Sequence, residues 1–241
     1  MTDGWNESAA AWLSEIGGNG EGDWSRVAVL DAPMLARVDA GGFKRALDVG
    51  CGEGRFSRML QARGVETIGI EPTRALREAA EQRDPNGTYV DAVAEKLPFK
   101  DASFDLVVSY LTLIDIPDYR TALREMTRVL NPGGSLLIAN INSFITAGNP
   151  DPLGWQRKED GTPFHFAFDG YLEERADWVA WREMRILNWH RPLSDYMKAL
   201  LGNGLMLTHF DEPPAVEDPF GRSDRYRRAP WFHVMEWRKP M

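Results

Sequence analysis

The chain of 241 residues holds a single cysteine, Cys51, so no intrachain disulfide can form. A reducing setting, the cytoplasm, is the expectation that follows. Residues 1–11 lack the basic and apolar stretches of a secretory signal. No apolar run approaches the ~20 residues that a membrane-spanning helix requires, so no span is expected. Positive charge is in deficit: 28 Lys and Arg stand against 36 Asp and Glu, a net charge of -8. That balance argues against a nucleic-acid partner, because Lys and Arg supply most of the attraction to phosphates. One basic group, Arg222, Arg225, Arg227 and Arg228, reads as a solvated surface segment. Internal repeats and low-complexity tracts are absent as well. What is present, 43% hydrophobic and 27% charged residues, is the composition of an ordinary globular chain.

Tryptophan is missing from one long stretch, residues 43–141. All nine lie outside it, at Trp5, Trp12, Trp24, Trp155, Trp178, Trp181, Trp189, Trp231 and Trp237. The same stretch has the clearest alternation of short apolar runs with helical spacing. Strands are expected over 43–49, 65–70, 88–90, 104–108 and 135–139, with helices over 54–62, 73–82 and 119–130. The last helix is the most amphipathic, with Ala122, Leu123, Met126, Val129 and Leu130 on one face and Asn131-Pro132-Gly133-Gly134 as its stop. Thr73 is the expected cap of its helix. Such alternation argues for an α/β fold with a parallel sheet wound on both sides. Around this core we expect a helical cap over 1–40 and a lid insertion over 143–191 that folds over the sheet's carboxyl edge. A helix and an antiparallel strand pair over 192–241 complete a single domain. Trp178 and Trp181 would share a face if their segment were helical.

The chemistry is concentrated where the first strand meets its helix. Asp48-Val49-Gly50-Cys51-Gly52-Glu53-Gly54 is a glycine turn that lets the backbone approach a ligand closely. Its spacing is G-x-G-x-G; a dinucleotide fingerprint would need a glycine where Arg55 stands. A nicotinamide-dependent oxidoreductase is disfavoured on that ground. Glu71 ends the second strand about 20 residues on, where a carboxylate can accept hydrogen bonds from two ribose hydroxyls. Cys51 is read as a small residue that fits the turn, without a redox role.

Together with Ala94-Glu95-Lys96-Leu97-Pro98-Phe99, Phe104-Asp105-Leu106-Val107-Val108 and Leu130-Asn131-Pro132-Gly133-Gly134, these residues resemble the class I S-adenosylmethionine-dependent methyltransferases. More narrowly, they resemble the small-molecule subgroup typified by the ubiquinone-biosynthesis enzymes. The resemblance covers residues 43–141, with a weaker extension at His190-Arg191-Pro192-Leu193. It implies a Rossmann-like, doubly wound, seven-stranded sheet whose last strand is antiparallel. It implies S-adenosyl-L-methionine as cofactor and a small-molecule methyl acceptor as partner, with no metal. Backbone at Gly50, Cys51 and Gly52 would meet the methionine part, and Asp48 would orient that loop or reach the amino group. Glu71 would hold the ribose and Pro72 would pack on adenine.

Relatives place an Asp before the Ala-Glu pair, and this chain has Val93. Ala94 backbone could still meet adenine, and Asp91 or Glu95 could supply a side chain. Ser109 and Tyr110, after the fourth strand, are expected to border the methionine end or the acceptor; Tyr110 could instead pack under the lid. Methyl transfer, foremost to oxygen, would use His165 or His190 as candidate base, with Asp115 a further one. The alternative for His190 is an anchor between lid and helix, with Arg191 paired to a carboxylate. His209 and His233 are read as structural. Trp12, Trp24, Trp155, Trp178, Trp181 and Trp189 either pack the lid or line an aromatic acceptor pocket. A cofactor-binding protein without turnover is the alternative function, and a protein acceptor is not excluded by charge.

Overall fold

The computed structural model describes residues 3–149, 153–217 and 221–241. The chain opens with helix α1 (Trp5–Ile16), then a π-helical turn (Arg26–Leu30) that runs into α2 (Asp31–Gly41). The alternating core follows: β1 (Arg45–Val49), α3 (Arg55–Gln61), β2 (Glu66–Ile70), α4 (Arg74–Arg83), β3 (Thr88–Val90), β4 (Phe104–Tyr110), α5 (Tyr119–Val129) and β5 (Leu130–Ile141). Beyond it lie α6 (Ser143–Thr146), β6 (Gly154–Arg157), β7 (Pro163–Ala167), β8 (Arg175–Trp181), β9 (Met184–His190), α7 (Leu193–Gly202), β10 (Met206–Asp211), α8 (Ser223–Arg228) and β11 (Phe232–Arg238).

One sheet carries seven strands in the order β10-β11-β5-β4-β1-β2-β3. Strands β1 to β5 are mutually parallel, and β11 runs antiparallel to both β5 and β10. The expected doubly wound sheet with an antiparallel last strand is therefore the fold. Chain order reverses between β1 and β4, so the carboxyl ends of these strands open a crevice where ligands bind in open α/β sheets. No helix among the described residues is long and apolar enough to cross a membrane.

Each face of the sheet is sealed by its own cluster. On one side α5 inserts Ala122, Leu123, Met126 and Val129, all fully buried, against Val107, Leu136 and Ile138. That apolar face repeats at helical spacing, as the sequence shows. The Asp118 carboxylate caps α5 by accepting the Thr121 N–H at 3.0 Å. On the other side Met34, Val38, Phe56 and Leu60 pack on Ala46, Leu106 and Val108.

Three local expectations change. Thr73 stands at the N-cap of α4, but its side chain does not cap the helix. The insertion consists of two antiparallel hairpins, β6–β7 and β8–β9. Trp178 and Trp181 lie on strand β8, three residues apart, so alternation sends them to opposite faces. Trp178 stays 44% exposed, whereas Trp181 packs beside Trp12 and Ile16 of α1. In the basic group near α8, Arg227 pairs with Glu217 at 3.0 Å and Arg228 with Asp224 at 3.2 Å.

Strand β9 docks onto the top of the core. Its Leu187 N–H donates to the Asp3 carbonyl at 2.8 Å, and its Trp189 N–H donates to the Ile114 carbonyl at 2.6 Å. Arg191 follows immediately and is fully buried, with its guanidinium in the loop after β4. The insertion thereby fixes the loop that forms one wall of the crevice.

Candidate functional site

The turn after β1 is built from backbone hydrogen bonds and left-handed glycines. Gly50 and Cys51 N–H groups both donate to the Ile70 carbonyl, at 2.9 and 3.0 Å. Gly50, Gly52 and Gly54 have φ of 69°, 56° and 77°, a region that residues with a Cβ avoid. A Cβ at Gly50 would lie 2.2 Å from Thr112 Cγ2, whereas a Cβ at Gly52 would meet nothing within 4 Å. The turn is thus pressed onto the loop after β4 at Gly50 and open at Gly52. We expect Gly50→Ala to cost at least about 1–2 kcal/mol of stability from the left-handed backbone alone, before the Thr112 overlap. Comparative thermal melts check this, and an unchanged melting temperature would contradict it.

Glu71 braces this turn. Its Oε2 accepts the Gly52 N–H at 3.0 Å and its Oε1 accepts the Thr73 N–H at 2.8 Å. Burial pushes the Glu71 carboxyl up in pKa, while these two backbone donors pull it down. Asp48, at the end of β1, is buried and accepts from the Ser57 hydroxyl of α3 at 2.7 Å. Burial outweighs that bond and the carboxyl is pushed up to about 6. The Cys51 thiol is also raised by burial and by neighbouring Asp48, Glu71 and Glu53, which keeps it protonated and unreactive.

A cavity of about 310 Å³ lies over these groups. Asp48, Gly50, Cys51, Gly52, Glu71, Pro72, Val93, Ala94, Glu95 and Tyr110 of the expected set all line it. Asp91 is not among the lining residues; its carboxylate pairs with Arg77 at 3.1 Å. Val93 is 45% exposed at the rim. Ser109 is fully buried and outside the cavity. It alternates with Tyr110 along β4, and Tyr110 belongs to the α2–α3 side of the sheet while Val107 belongs to the α5 side. The two side chains therefore point to opposite sides of the sheet.

The far wall comes from the N-terminal cap. Asp3, Trp5, Trp12 and Arg26 line it together with Thr112, Asp115, Ile116 and Pro117. No described residue of the insertion does. The Arg26 guanidinium lies over the Trp12 and Tyr110 rings, at 5.0 and 5.6 Å. The Tyr110 hydroxyl donates to Asp31 at 2.9 Å, and the same carboxylate pairs with Arg55 of α3. Trp12 fits the aromatic-pocket reading of the tryptophans; Asp3, Trp5 and Arg26 carried no sequence signal that singled them out.

The two histidines expected as bases lie elsewhere. His190 is buried, with Nε2 directed at the Tyr171 carbonyl at 2.9 Å and Nδ1 at the Thr146 hydroxyl at 2.7 Å. Both nitrogens are committed, burial lowers its pKa, and it anchors the insertion. The neighbouring Arg191 does pair with a carboxylate, Glu174, at 2.9 Å. His165, on β7, faces a separate groove with Phe164, Phe166 and Arg228. His233 Nδ1–H donates to Asn142 Oδ1 at 2.9 Å, and the ring is pushed down to about 4 by burial, which keeps it neutral. His209 lies on edge strand β10. Among the described residues no group of three or more His, Cys, Asp or Glu is placed to hold a metal ion.

The residues present fit S-adenosylmethionine. The Gly52 side of the turn is open, a buried carboxylate stands at the end of β2, and the cavity continues to an aromatic wall. A family model described as a methyltransferase domain matches residues 47–138. A malonyl-[acyl-carrier protein] O-methyltransferase from Serratia marcescens is 32% identical over 173 residues, covering 69% of this chain and 66% of that protein. An O-methyltransferase from Aspergillus nomiae is 38% identical over 116 residues, covering 45% of this chain and 51% of that one. The chain thus matches less than two thirds of the length of either. An S-adenosylmethionine-dependent methyltransferase from Mesorhizobium loti shares the fold at a TM-score of 0.75 and 24% identity, over 92% of this chain and all of that one. The reversed strand order, the braced glycine turn and these likenesses converge: residues 47–138 are a methyltransferase domain, carried on the fold of the class I S-adenosylmethionine-dependent methyltransferases.

Proposed function

We propose that the protein methylates a small organic acceptor, at oxygen, using S-adenosylmethionine. One observation carries the reading: a single cavity joins the glycine turn and Glu71 to the wall of Trp5, Trp12 and Asp115. S-adenosylmethionine supplies a methyl group on a sulfonium, which an acceptor lone pair takes up in line.

The chain's own residues bind, align and shield. Backbone at Gly50, Cys51 and Gly52 faces the methionine part, with Asp48 holding that loop through Ser57. Glu71 accepts from the ribose hydroxyls. Pro72 and the Val93-Ala94-Glu95 segment enclose adenine, with Glu95 the carboxylate on the cavity side. The aromatic wall takes an acceptor with planar or apolar character. Alignment of two reactants in this way contributes on the order of 7–11 kcal/mol to lowering the barrier. The O-methyltransferase names of the relatives support oxygen as the acceptor atom.

The test is a screen of labelled methyl transfer to phenols, carboxylates, quinone precursors and amines. A labelled ether or ester is the expected product. No labelled product, together with no thermal shift from S-adenosylmethionine, would overturn the reading.

A further inference from the structure

Among the acids that line the cavity, Asp115 stands on the wall away from the glycine turn, and binding of the donor's adenosine and methionine parts leaves it unexplained. Asp115 sits in the loop after β4, where a tight turn is closed by its N–H donating to the Thr112 carbonyl at 2.9 Å. It is half-buried and lines the cavity. From β9, Asn188 Nδ2 donates to Asp115 Oδ1 at 2.6 Å. From the N-terminal segment, the Trp5 side chain is a second donor toward it. The charged groups that act on it most are two acids, Asp3 from the same N-terminal segment and Glu71 from the end of β2. Two cations stand near: Arg191, whose guanidinium donates to the Leu113, Ile116 and Pro117 carbonyls of the loop and pairs with Glu174, and Arg26, which lines the same cavity.

Two neutral donors can hold a carboxyl group in either charge state. Two acids and partial burial favour the uncharged one. Burial, more than the acids, pushes this carboxyl up to about 8. A cation bound in the cavity within ~4–6 Å would reverse the preference, moving the titration down by about 1–3 pH units.

Resting on the methyltransferase reading above, we propose that Asp115 is the proton acceptor of the reaction, that it is uncharged in the empty cavity, and that arrival of the donor's sulfonium makes it release its proton. Asp115 then stands ready as a carboxylate beside the acceptor. The acceptor's O–H proton passes to Asp115, the electron pair left on oxygen forms the new bond to the methyl carbon, and the pair of the broken S–C bond stays on sulfur. Asn188 is the positioning residue that keeps Oδ1 occupied and turns Oδ2 to the acceptor. Coupling the base to donor binding keeps the empty cavity free of an unpaired buried charge.

The experiment is calorimetric titration of the whole chain at pH 7.5 with S-adenosylmethionine and, separately, with S-adenosylhomocysteine, each in phosphate and in Tris. The difference in heat between buffers counts protons released. The two ligands share adenine, ribose, ammonium and carboxylate, so protons from Asp48 or Glu71 appear with both. We expect S-adenosylmethionine to release about half a proton more than S-adenosylhomocysteine, and Asp115→Asn to abolish that difference. Equal release by the two ligands, or a difference that survives D115N, overturns the proposal. Failure of S-adenosylmethionine to bind at all overturns the methyltransferase reading instead.

A second readout needs no ligand. An acid whose pKa is raised on folding binds more protons in the native than in the unfolded chain, so it lowers stability progressively as pH rises from about 4 to about 8. D115N removes that penalty. Its melting temperature should exceed that of the parent chain at pH 8 and match it near pH 4. An identical offset at both pH values counts against Asp115 being protonated in the empty cavity.

Discussion

Replacing Arg191 with alanine is expected to cost about 3–5 kcal/mol of folding stability, a fall of roughly 10 °C in melting temperature for a chain of this size. The side chain is 1% exposed and bridges three parts of the fold. Nη1 donates to the Leu113 carbonyl at 2.9 Å, and Nη2 to the Ile116 and Pro117 carbonyls at 2.7 and 2.9 Å. Nε pairs with Glu174 at 2.9 Å, and the guanidinium lies over the Tyr119 and Trp189 rings at 4.4 and 4.8 Å. Truncation leaves three carbonyls without this donor, and each buried group so orphaned costs about 1–3 kcal/mol. It also opens a void beside Tyr119 and Tyr196, which stack edge to face at 5.0 Å. Lysine is no remedy, since an ammonium lacks the planar fork that reaches several carbonyls at once. R191K should therefore fall close to R191A in thermal melts. The same loop supplies Asp115, Ile116 and Pro117 to the cavity, so donor affinity should drop with stability. A melting temperature for R191A within about 2 °C of the parent, less than 1 kcal/mol on this scale, would remove the clamp from the account.

The sequence made the core of the fold legible because periodicity and burial agree there. In α5 every apolar residue of the stripe is buried, and β1 to β5 fall close to their expected runs. In β8 the two disagree. Arg175 and Asp177 point to the sheltered side and pair at 3.0 Å, while Trp178 faces outward under the Arg185 guanidinium. Polar-in and aromatic-out cancels the alternation by which a strand is recognised. The hairpins of the insertion were hidden for that reason, and with them the fact that β9 serves as a brace. The wall of the cavity came from α1 instead, whose docking rests on tertiary bonds such as Ser8 Oγ to the Arg185 carbonyl at 3.2 Å.

The proposed donor side of the site is legible because it is local: one turn, one strand end and one short segment place their own residues. The acceptor side depends on which elements meet. His190 has the right chemistry for a base, but its hydrogen-bond partners, Thr146 and Tyr171, are distant in sequence and invisible in a linear reading. Asp115 carried a weak signal as a carboxyl after the fourth strand; the donors that hold it come from β9 and the N-terminal segment. Ser109 is a case where the sequence already held the answer. Adjacent residues on a strand face opposite ways, so Tyr110 on the α2–α3 side puts Ser109 on the other.

Replacing Glu71 with alanine is expected to weaken S-adenosylmethionine binding by about a hundredfold or more while leaving the chain folded. Hydrogen bonds to a charged group contribute about 1.5–3 kcal/mol each, so two ribose hydroxyls on one carboxylate are worth at least about two decades of affinity. The substitution also removes the brace between Gly52 and Thr73, whose N–H groups both lie within 3.0 Å of Glu71 oxygens. That second loss acts on the shape of the glycine turn and adds to the first. Glu71→Gln separates them in part. It keeps one accepting oxygen, but its NH2 would face either the Gly52 or the Thr73 N–H, donor against donor, so its affinity should fall between the two. Asp91→Ala is the matched control, because that carboxylate pairs outward with Arg77 at 3.1 Å and does not line the cavity. Calorimetric titration of the three variants, with a thermal melt of each, is the measurement. If E71A binds S-adenosylmethionine within about threefold of the parent, a difference of under 1 kcal/mol, the ribose does not sit on Glu71. The glycine turn would then hold the donor by its backbone alone.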